Sequence, residues 1–223
     1  MISEELRNSR DKTFLRAQQE RTLASPRMLY GLLARLLFFF MDLFYKQRDL
    51  SKFKVLEVIA RVPYQSWEHV AYIAMTHTYG QPHFARRIFE FVLESRHQQD
   101  NEQWHLFILQ EMIQRRGIRE GFFHYGILPQ FMAFFYYHVS WLLYVVKPAW
   151  SYQLNAEFED HAEHEYMEFV RENPAMEVRP FESDFQREYG PIGTCADLFR
   201  RIGLDERVHK QESLDRIAEA RFS

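Results

Sequence analysis

Cysteine, glycine and proline are scarce in this sequence. A single cysteine, Cys195, excludes an internal disulfide and a cysteine-rich zinc site. Eight glycines and eight prolines in 223 residues are too few for a turn-dense β-sandwich or for disorder rich in these residues. An excess of positive charge is also lacking, with 28 basic and 31 acidic side chains, so nucleic acid is not expected as a partner. These absences favour a folded, mainly helical protein.

Aromatic side chains, in contrast, make up 17% of the residues, and many lie in two apolar stretches, 28–45 and 127–150. Three interpretations are open: helices that span a membrane, helices that lie in the plane of one leaflet, and core helices of a bundle or dimer seam. Arg35 and Asp42 make spanning costly for the first stretch, whereas the second is the stronger candidate for a span. In-plane helices suit both stretches. Basic side chains could assist the first stretch at anionic lipid: Arg7, Arg10, Lys12, Arg16, Arg21 and Arg27.

The spacing of apolar residues and helix breakers predicts six helices and no strand. Their bounds are 26–46, 51–79, 83–116, 121–147, 150–172 and 194–220, and residues 173–193 are predicted to form one long irregular connection. Pro63 should kink the second helix or mark a boundary near its first turns. We therefore expect a charged arm over 1–25 and one helical domain over 26–223.

The motif Glu-x-x-His places two side chains on one face of a helix, where they can hold one metal ion. It occurs three times, at Glu94/His97, Glu102/His105 and Glu206/His209. Glu57 precedes the second pair by 45 residues, and Glu159 precedes the third by 47. A lone glutamate followed by Glu-x-x-His is therefore repeated at nearly equal spacing. Glu94/His97 has no counterpart at matching spacing, and we expect it on a solvated helix face.

Four-helix proteins that bind two metals use the same ligands, one Glu from each of two helices and Glu-x-x-His from each of the other two. Four carboxylates and two neutral imidazoles balance two divalent ions, so such a site can be buried. These ligands suit iron that binds oxygen, manganese is an alternative, and zinc offers no redox chemistry. The candidate metal ligands are Glu57, Glu102, His105, Glu159, Glu206 and His209.

The predicted helix 150–172 contains several acidic and histidine side chains in close succession: Glu157, Glu159, Asp160, His161, Glu163, His164 and Glu165. We expect most of them to lie on a solvated helix face. Glu159 is preferred as the ligand because it gives the repeat its matching spacing. Tyr166 then follows seven residues later, nearly on the same face.

Four segments carry a family resemblance. They are 42–64 (DLFYKQRDLSKFKVLEVIARVPY), 101–106 (NEQWHL), 158–166 (FEDHAEHEY) and 204–209 (LDERVH). They resemble the four ligand segments of the alternative oxidase family of di-iron quinol oxidases, and more closely those of its plastid terminal oxidase branch. Val58 stands where many members have Thr, and Gly203 where many have Arg, but the six ligands are intact.

The resemblance implies a ferritin-like four-helix bundle that holds two iron ions, with two long interfacial helices, 26–46 and 121–147, on one leaflet. It implies a homodimeric, non-electrogenic terminal oxidase of a respiratory electron transport chain. Such an enzyme oxidises ubiquinol or plastoquinol and reduces O2 to water. Its membrane would be a bacterial cytoplasmic membrane or a thylakoid-type membrane.

The resemblance also implies roles for individual residues. Tyr166 matches a catalytic tyrosine beside the metals, and Asn101 and Asp205 match groups that orient the ligands. The residues expected near the quinol are Lys52, Leu56 and Phe158. Three alternatives are a membrane-associated di-iron hydroxylase acting on a quinone precursor, a ferritin-like iron-handling protein, and a helical membrane scaffold without metal.

Overall fold

Helices dominate the computed structural model, which describes residues 11–218. The α-helices of this range are α1 (Lys12–Ala24), α2 (Leu32–Phe44), α3 (Leu50–Ala60), α4 (Val62–Thr76), α5 (Pro82–Arg115), α6 (Leu128–Val146), α7 (Pro148–Glu172), α8 (Gln186–Tyr189) and α9 (Cys195–Ala218). A π-helical turn, Phe123–Ile127, precedes α6, and a 3₁₀ turn, Pro174–Glu177, follows α7. Within residues 11–218, β pairing is limited to one isolated bridge, Pro180 to Thr194. The predicted all-α helical-bundle class is confirmed.

The predicted helix 51–79 is two helices, α3 and α4, with Arg61 between them. Pro63 lies in the first turn of α4, where its missing N–H leaves no helical hydrogen bond unmade. The boundary predicted at this proline is confirmed. The predicted helix 26–46 begins only at Leu32, and 121–147 begins with the π-helical turn. The other three helices agree with their predicted bounds to within two residues where the structure describes them, and the predicted end at 220 lies outside the described residues.

Helix α1 lies in the part of the chain where the sequence predicts a charged arm and no helix. The Asp11 side chain caps it by accepting a hydrogen bond from the N–H of Thr13 at 2.8 Å. Gln19 and Thr22 are buried on one face, and the Thr22 hydroxyl donates to the Glu163 carboxylate at 2.6 Å. Because these contacts are polar, apolar periodicity does not reveal the helix.

The chain divides into two compact units. The first unit comprises residues 11–49 and 156–215, and the second comprises 50–155 and 216–218. The predicted division into an arm over 1–25 and one domain over 26–223 stays a prediction.

The acidic stretch of α7 is buried, and the prediction that most of it faces solvent is wrong. The buried side chains are Glu157, Glu159, Asp160, His161, Glu163, His164 and Glu165. Lys210 donates to Asp160 at 3.0 Å and to Glu163 at 2.6 Å, and the Gly31 N–H donates to Glu157 at 2.9 Å. These partners come from distant parts of the sequence, so the local pattern of α7 does not show that its charges are compensated.

Two arginines hold the ends of the segment that carries α2. Arg27 lies before α2 and binds Glu165 at 3.0 Å and Glu168 at 3.2 Å. Arg48 lies after α2 and binds the same two carboxylates at 3.0 Å and 2.6 Å. The residues that flank α2 on both sides are therefore attached to α7. These bidentate and charge-assisted contacts fix both ends of the segment that carries α2.

Three of the basic side chains expected beside lipid bind or lie near protein carboxylates, and their contact with lipid stays a prediction. Arg27 is held as just described, Arg16 binds Glu177 at 2.8 Å, and Lys12 lies 3.8 Å from Asp197. Their charge is thus largely balanced within the first unit. Arg7 and Arg10 lie outside the described residues.

Helix α2 has one narrow buried stripe and a broad exposed apolar surface. Ala34, Phe38 and Met41 recur at helical spacing and are buried, with the Phe38 ring stacked on His161 at 4.0 Å. The exposed side chains are Leu32, Leu33, Leu36, Phe39, Phe40, Leu43 and Phe44. This helix therefore leaves most of its apolar surface exposed in the first unit.

Helix α6 repeats that arrangement in the second unit. It buries Ala133, Tyr136, Ser140 and Tyr144 and exposes an apolar face formed by Phe131, Phe134, Phe135, Leu142, Val145 and Val146. Across residues 11–218, none of the helices has the length and apolarity that crossing a membrane requires. Such faces on both helices also differ from those of fully packed core helices.

The core of the second unit is aromatic where α4 and α6 meet the start of α7. Trp67 contacts three tyrosine rings, with centroid distances of 5.2 Å to Tyr64, 5.9 Å to Tyr144 and 4.6 Å to Tyr152. The Trp67 Nε1–H donates to the Ser151 hydroxyl at 2.8 Å. Helices α3 and α4 also pack on α5 and α6.

We expect Glu177→Gln to lower the free energy of unfolding by about 1–2 kcal/mol at pH 7. Hydrogen bonds from Arg200, and from Arg16 at 2.8 Å, lower the pKa of Glu177 from 4.5 to about 2. Because the pKa is lower in the folded state, this stabilisation is present above about pH 4.5 and is lost as the pH falls toward 2. Urea unfolding at pH 7 and at pH 3 measures the difference.

The exposed Glu188 provides the matched control. Glu188→Gln should change unfolding little at either pH. A deficit of Glu177→Gln that stays constant between pH 7 and pH 3 would contradict the assignment.

Candidate metal centre

A buried triad in the second unit joins the lone glutamate of α3 to the pair Glu102/His105 on α5. Glu57, Glu102 and His105 are fully buried, and each offers a ligand atom within 4.8 Å of the others. His105 Nδ1 lies 3.2 Å from Glu57 Oε2 and 3.5 Å from Glu102 Oε2. The three residues thus converge as their spacing predicts, and they could hold one metal ion.

Because α3 is buried, the ionised form of the Glu57 carboxylate costs free energy unless a cation lies nearby. Every residue of α3 is buried, including the neighbours Leu56 and Val58. Burial raises the pKa of Glu57, and the nearby Glu102 carboxylate raises it further, whereas His105 acts in the opposite direction. The anionic form of Glu57 is therefore disfavoured in the protein alone, and a bound cation would restore it.

The first unit contains a second triad of the same composition. Glu159 lies on α7, Glu206 and His209 lie on α9, and each offers a ligand atom within 4.8 Å of the others. All three are buried. Each triad carries two carboxylates and one imidazole, so one divalent cation balances the charge of each. The donor chemistry therefore fits iron or manganese in both units.

The pair Glu94/His97 takes no part in the metal-competent groups of residues 11–218. His97 is exposed, as expected for a solvated face, but Glu94 is half-buried and is bound by Arg216. The guanidinium of Arg216 also lies 4.2 Å from the centroid of the Phe91 ring. Glu94 thus serves an ion pair of the second unit.

Tyr166 is fully buried in the first unit and directly follows the acidic stretch of α7. Its ring stacks on Phe199 of α9 at a centroid distance of 6.1 Å. Gly203 allows this close approach, because a Cβ there would lie 2.9 Å from Met167 and 3.3 Å from Tyr166. A larger side chain at this position would require the Met167 side chain to move.

The two residues expected to orient the ligands differ in their surroundings. Asp205 is buried and accepts hydrogen bonds from the Tyr189 hydroxyl at 2.7 Å and from Arg201 Nε at 3.0 Å. Asn101 is half-buried, and its Oδ1 atom has no hydrogen-bond partner among the described residues. Tyr189 is a contributor that the sequence does not indicate, because it lies in the connection predicted to be irregular.

The three residues expected near the quinol are all buried. Lys52 and Leu56 lie on α3 in the second unit, and Phe158 lies on α7 in the first. A ligand that touches them must enter the interior and cannot stay on the outer surface. Their role in binding quinol stays a prediction.

The two buried triads are formed by a repeated set of Glu and Glu-x-x-His side chains on helices. This arrangement is typical of helical proteins that bind two metal ions. A model of the alternative oxidase family matches residues 15–213. The chain therefore belongs to the alternative oxidase family, whose members are di-iron proteins.

One curated relative is described as ubiquinol oxidase 4, chloroplastic/chromoplastic, from Arabidopsis thaliana. It is 31% identical over 131 residues, which cover 59% of this chain and 34% of the relative. The match thus spans about a third of the relative's length, and it agrees with the predicted resemblance to the plastid branch. No solved structure matches this chain significantly.

We expect Glu57→Leu to change the stability of the metal-free protein by no more than about 1–3 kcal/mol, because it removes the cost of burying this carboxylate together with its contact to His105 at 3.2 Å. The same change should abolish most of the stabilisation that ferrous iron gives the wild type, because the second-unit triad loses a ligand. Anaerobic urea unfolding with and without Fe(II) measures both effects.

Glu94→Leu is the matched control, since Glu94 lies outside both triads. It should leave the iron-dependent stabilisation intact and should not stabilise the metal-free protein, because it breaks the contact with Arg216. An unchanged response of Glu57→Leu to iron would contradict the role of Glu57 as a ligand.

Proposed function

We propose that this protein is a quinol:oxygen oxidoreductase that oxidises ubiquinol or plastoquinol and reduces O2 to water. The observation that carries the proposal is the pair of buried Glu and Glu-x-x-His triads in a member of the alternative oxidase family. The name of the Arabidopsis relative, a ubiquinol oxidase, supports the substrate class. Two quinols supply the four electrons and four protons that convert one O2 to two waters.

The proposed centre contains two iron ions held by Glu57, Glu102, His105, Glu159, Glu206 and His209. When bound, iron supplies the redox chemistry through which electrons pass from quinol to oxygen. The protein's own contribution is to hold the carboxylates and imidazoles in place and to exclude water from them, as their burial indicates.

Three further residues are proposed to support the reaction. Tyr166 is the proposed donor of an electron or a proton during cleavage of the O–O bond, because it is buried on the ligand-bearing helix α7. Asp205 and Asn101 each directly precede a ligand glutamate in the chain. Both are proposed to orient the metal ligands.

Oxygen uptake by the purified, iron-analysed protein tests the activity. With a short-chain ubiquinol or a plastoquinol, we expect about one O2 consumed per two quinols and two irons per chain. Glu206→Ala should lose iron and at least 100-fold of the activity, because the first-unit triad then has one carboxylate. Comparison of the two quinols ranks the substrates.

Glu94→Ala, outside both triads, should keep full iron and full uptake. Two bound irons without quinol-dependent uptake would overturn the oxidase and favour a hydroxylase or an iron-handling protein. Oxygen found in an organic product identifies the hydroxylase, and ferroxidase activity without quinol identifies the iron-handling protein. Full turnover of fully iron-loaded Tyr166→Phe would remove the role of Tyr166.

The proposed location is a membrane surface, with α2 and α6 in the plane of one leaflet. The exposed apolar faces of these two helices support this, because water would otherwise cover many Leu and Phe side chains. The membrane is proposed to be bacterial cytoplasmic or thylakoid-type, and the enzyme is proposed to act there as a homodimer. Such an enzyme provides no protein path for protons across the bilayer and is therefore non-electrogenic.

Sedimentation with lipid vesicles tests the location. Phe39 is 60% exposed on α2, and Phe39→Asp should weaken vesicle binding about tenfold or more, because a charge replaces an apolar ring in the acyl region. Phe89→Asp, at an exposed position of α5, is the control and should bind as the wild type does. Equal binding by Phe39→Asp and the wild type would contradict the proposed orientation of α2.

A further inference from the structure

A buried ion pair lies in the second unit, apart from the metal triad. Lys54 of α3 donates from Nζ to Oε2 of Glu120, which lies in the connection between α5 and the π-helical turn. The two side chains are only 8% and 14% exposed. Lys54 Nζ also lies 5.6 Å from the centroid of the Tyr125 ring. The pair therefore lies in a partly aromatic, low-dielectric environment.

Only one oxygen of this carboxylate is satisfied. Glu120 Oε1 is buried and has no hydrogen-bond partner among residues 11–218. A buried ion pair adds little stability over apolar side chains of similar size, and a carboxylate oxygen without a donor makes the balance worse. Stability of the fold therefore does not account for the pair. A ligand hydroxyl that donates to Oε1 would complete it.

The surroundings of the pair indicate which ligand could supply that hydroxyl. A π-helical turn, Phe123–Ile127, follows Glu120 closely, and such turns are frequent at functional sites. Phe122 and Phe123, which follow Glu120 almost directly, are 79% and 68% exposed. A carboxylate oxygen that needs a donor thus belongs to a residue that is followed in the chain, two and three positions later, by exposed aromatic side chains. An amphiphile with a hydroxylated aromatic ring and an apolar tail fits both features.

We propose that Lys54 and Glu120 form a binding site for the quinol head group. A ring hydroxyl donates a hydrogen bond to Glu120 Oε1, while Lys54 keeps Oε2 in place and balances the charge. The apolar tail lies along the surface formed by Phe122 and Phe123. This inference rests on the proposed function and adds to it two residues that are distinct from Lys52, Leu56 and Phe158.

Binding to the metal-free protein without oxygen tests the site separately from catalysis. Decylubiquinol can donate hydrogen bonds, whereas its dimethyl ether cannot. We expect the wild type to bind the quinol about tenfold more tightly than the ether. The double variant Lys54→Met/Glu120→Leu should bind the two compounds equally, because it removes the acceptor together with its counter-ion. Isothermal titration calorimetry measures the affinities.

The double variant avoids leaving a single buried charge and should therefore fold with wild-type stability. Glu68→Gln, which breaks the surface ion pair with Arg96, is the control and should retain the tenfold preference. A folded double variant that keeps the preference would overturn the site, as would a wild type that binds the quinol and the ether equally.

Oxygen uptake by the iron-loaded protein separates this inference from the proposed function. In the double variant we expect the KM for ubiquinol to rise about tenfold while kcat stays near the wild-type value. Wild-type uptake with an unchanged KM in the variant would overturn the head-group site alone. Glu120-dependent preference for the hydroxylated compound without any wild-type uptake would support the site and overturn the oxidase.

Discussion

Burial of carboxylates away from water is the constraint on which the rest of the structure depends. Glu57, Glu102, Glu159 and Glu206 are all fully buried, two in each unit. Burial raises the pKa of a carboxylate in such surroundings, as it does for Glu57. Two carboxylates and an imidazole that converge within 4.8 Å match the charge of a divalent cation. The helices therefore hold their most costly side chains where a metal would stabilise them.

Helix α7 meets the same constraint by two different means. Its ligand Glu159 converges with Glu206 and His209, whereas its other acidic side chains are neutralised by protein cations. Arg27 and Arg48 share Glu165 and Glu168 and so hold both ends of the segment that carries α2. The acidic stretch of α7, whose sequence is typical of a solvent-exposed helix, thus binds the N-terminal part of the first unit.

Helices α2 and α6 have large exposed apolar surfaces because only a narrow stripe of each helix is buried. Each contributes a stripe of about one residue per turn to its unit, and the remaining Phe, Leu and Val side chains stay exposed. An apolar surface of this kind suits a lipid leaflet and a substrate that dissolves in it. The Lys54–Glu120 pair adds polar atoms close to exposed Phe122 and Phe123, where an amphiphilic head group would need them.

The sequence by itself determined the helical class, the break at Pro63 and the members of both triads. Helical periodicity and the Glu-x-x-His spacing are local, and the repeated spacing from Glu57 and Glu159 links distant helices without any coordinates. Tertiary structure alone decided that the acidic stretch of α7 is buried, that α1 is a helix, and that Tyr189 contacts Asp205. Those outcomes depend on hydrogen bonds and ion pairs between residues far apart in the chain. No local pattern encodes which distant side chain will supply the compensating charge.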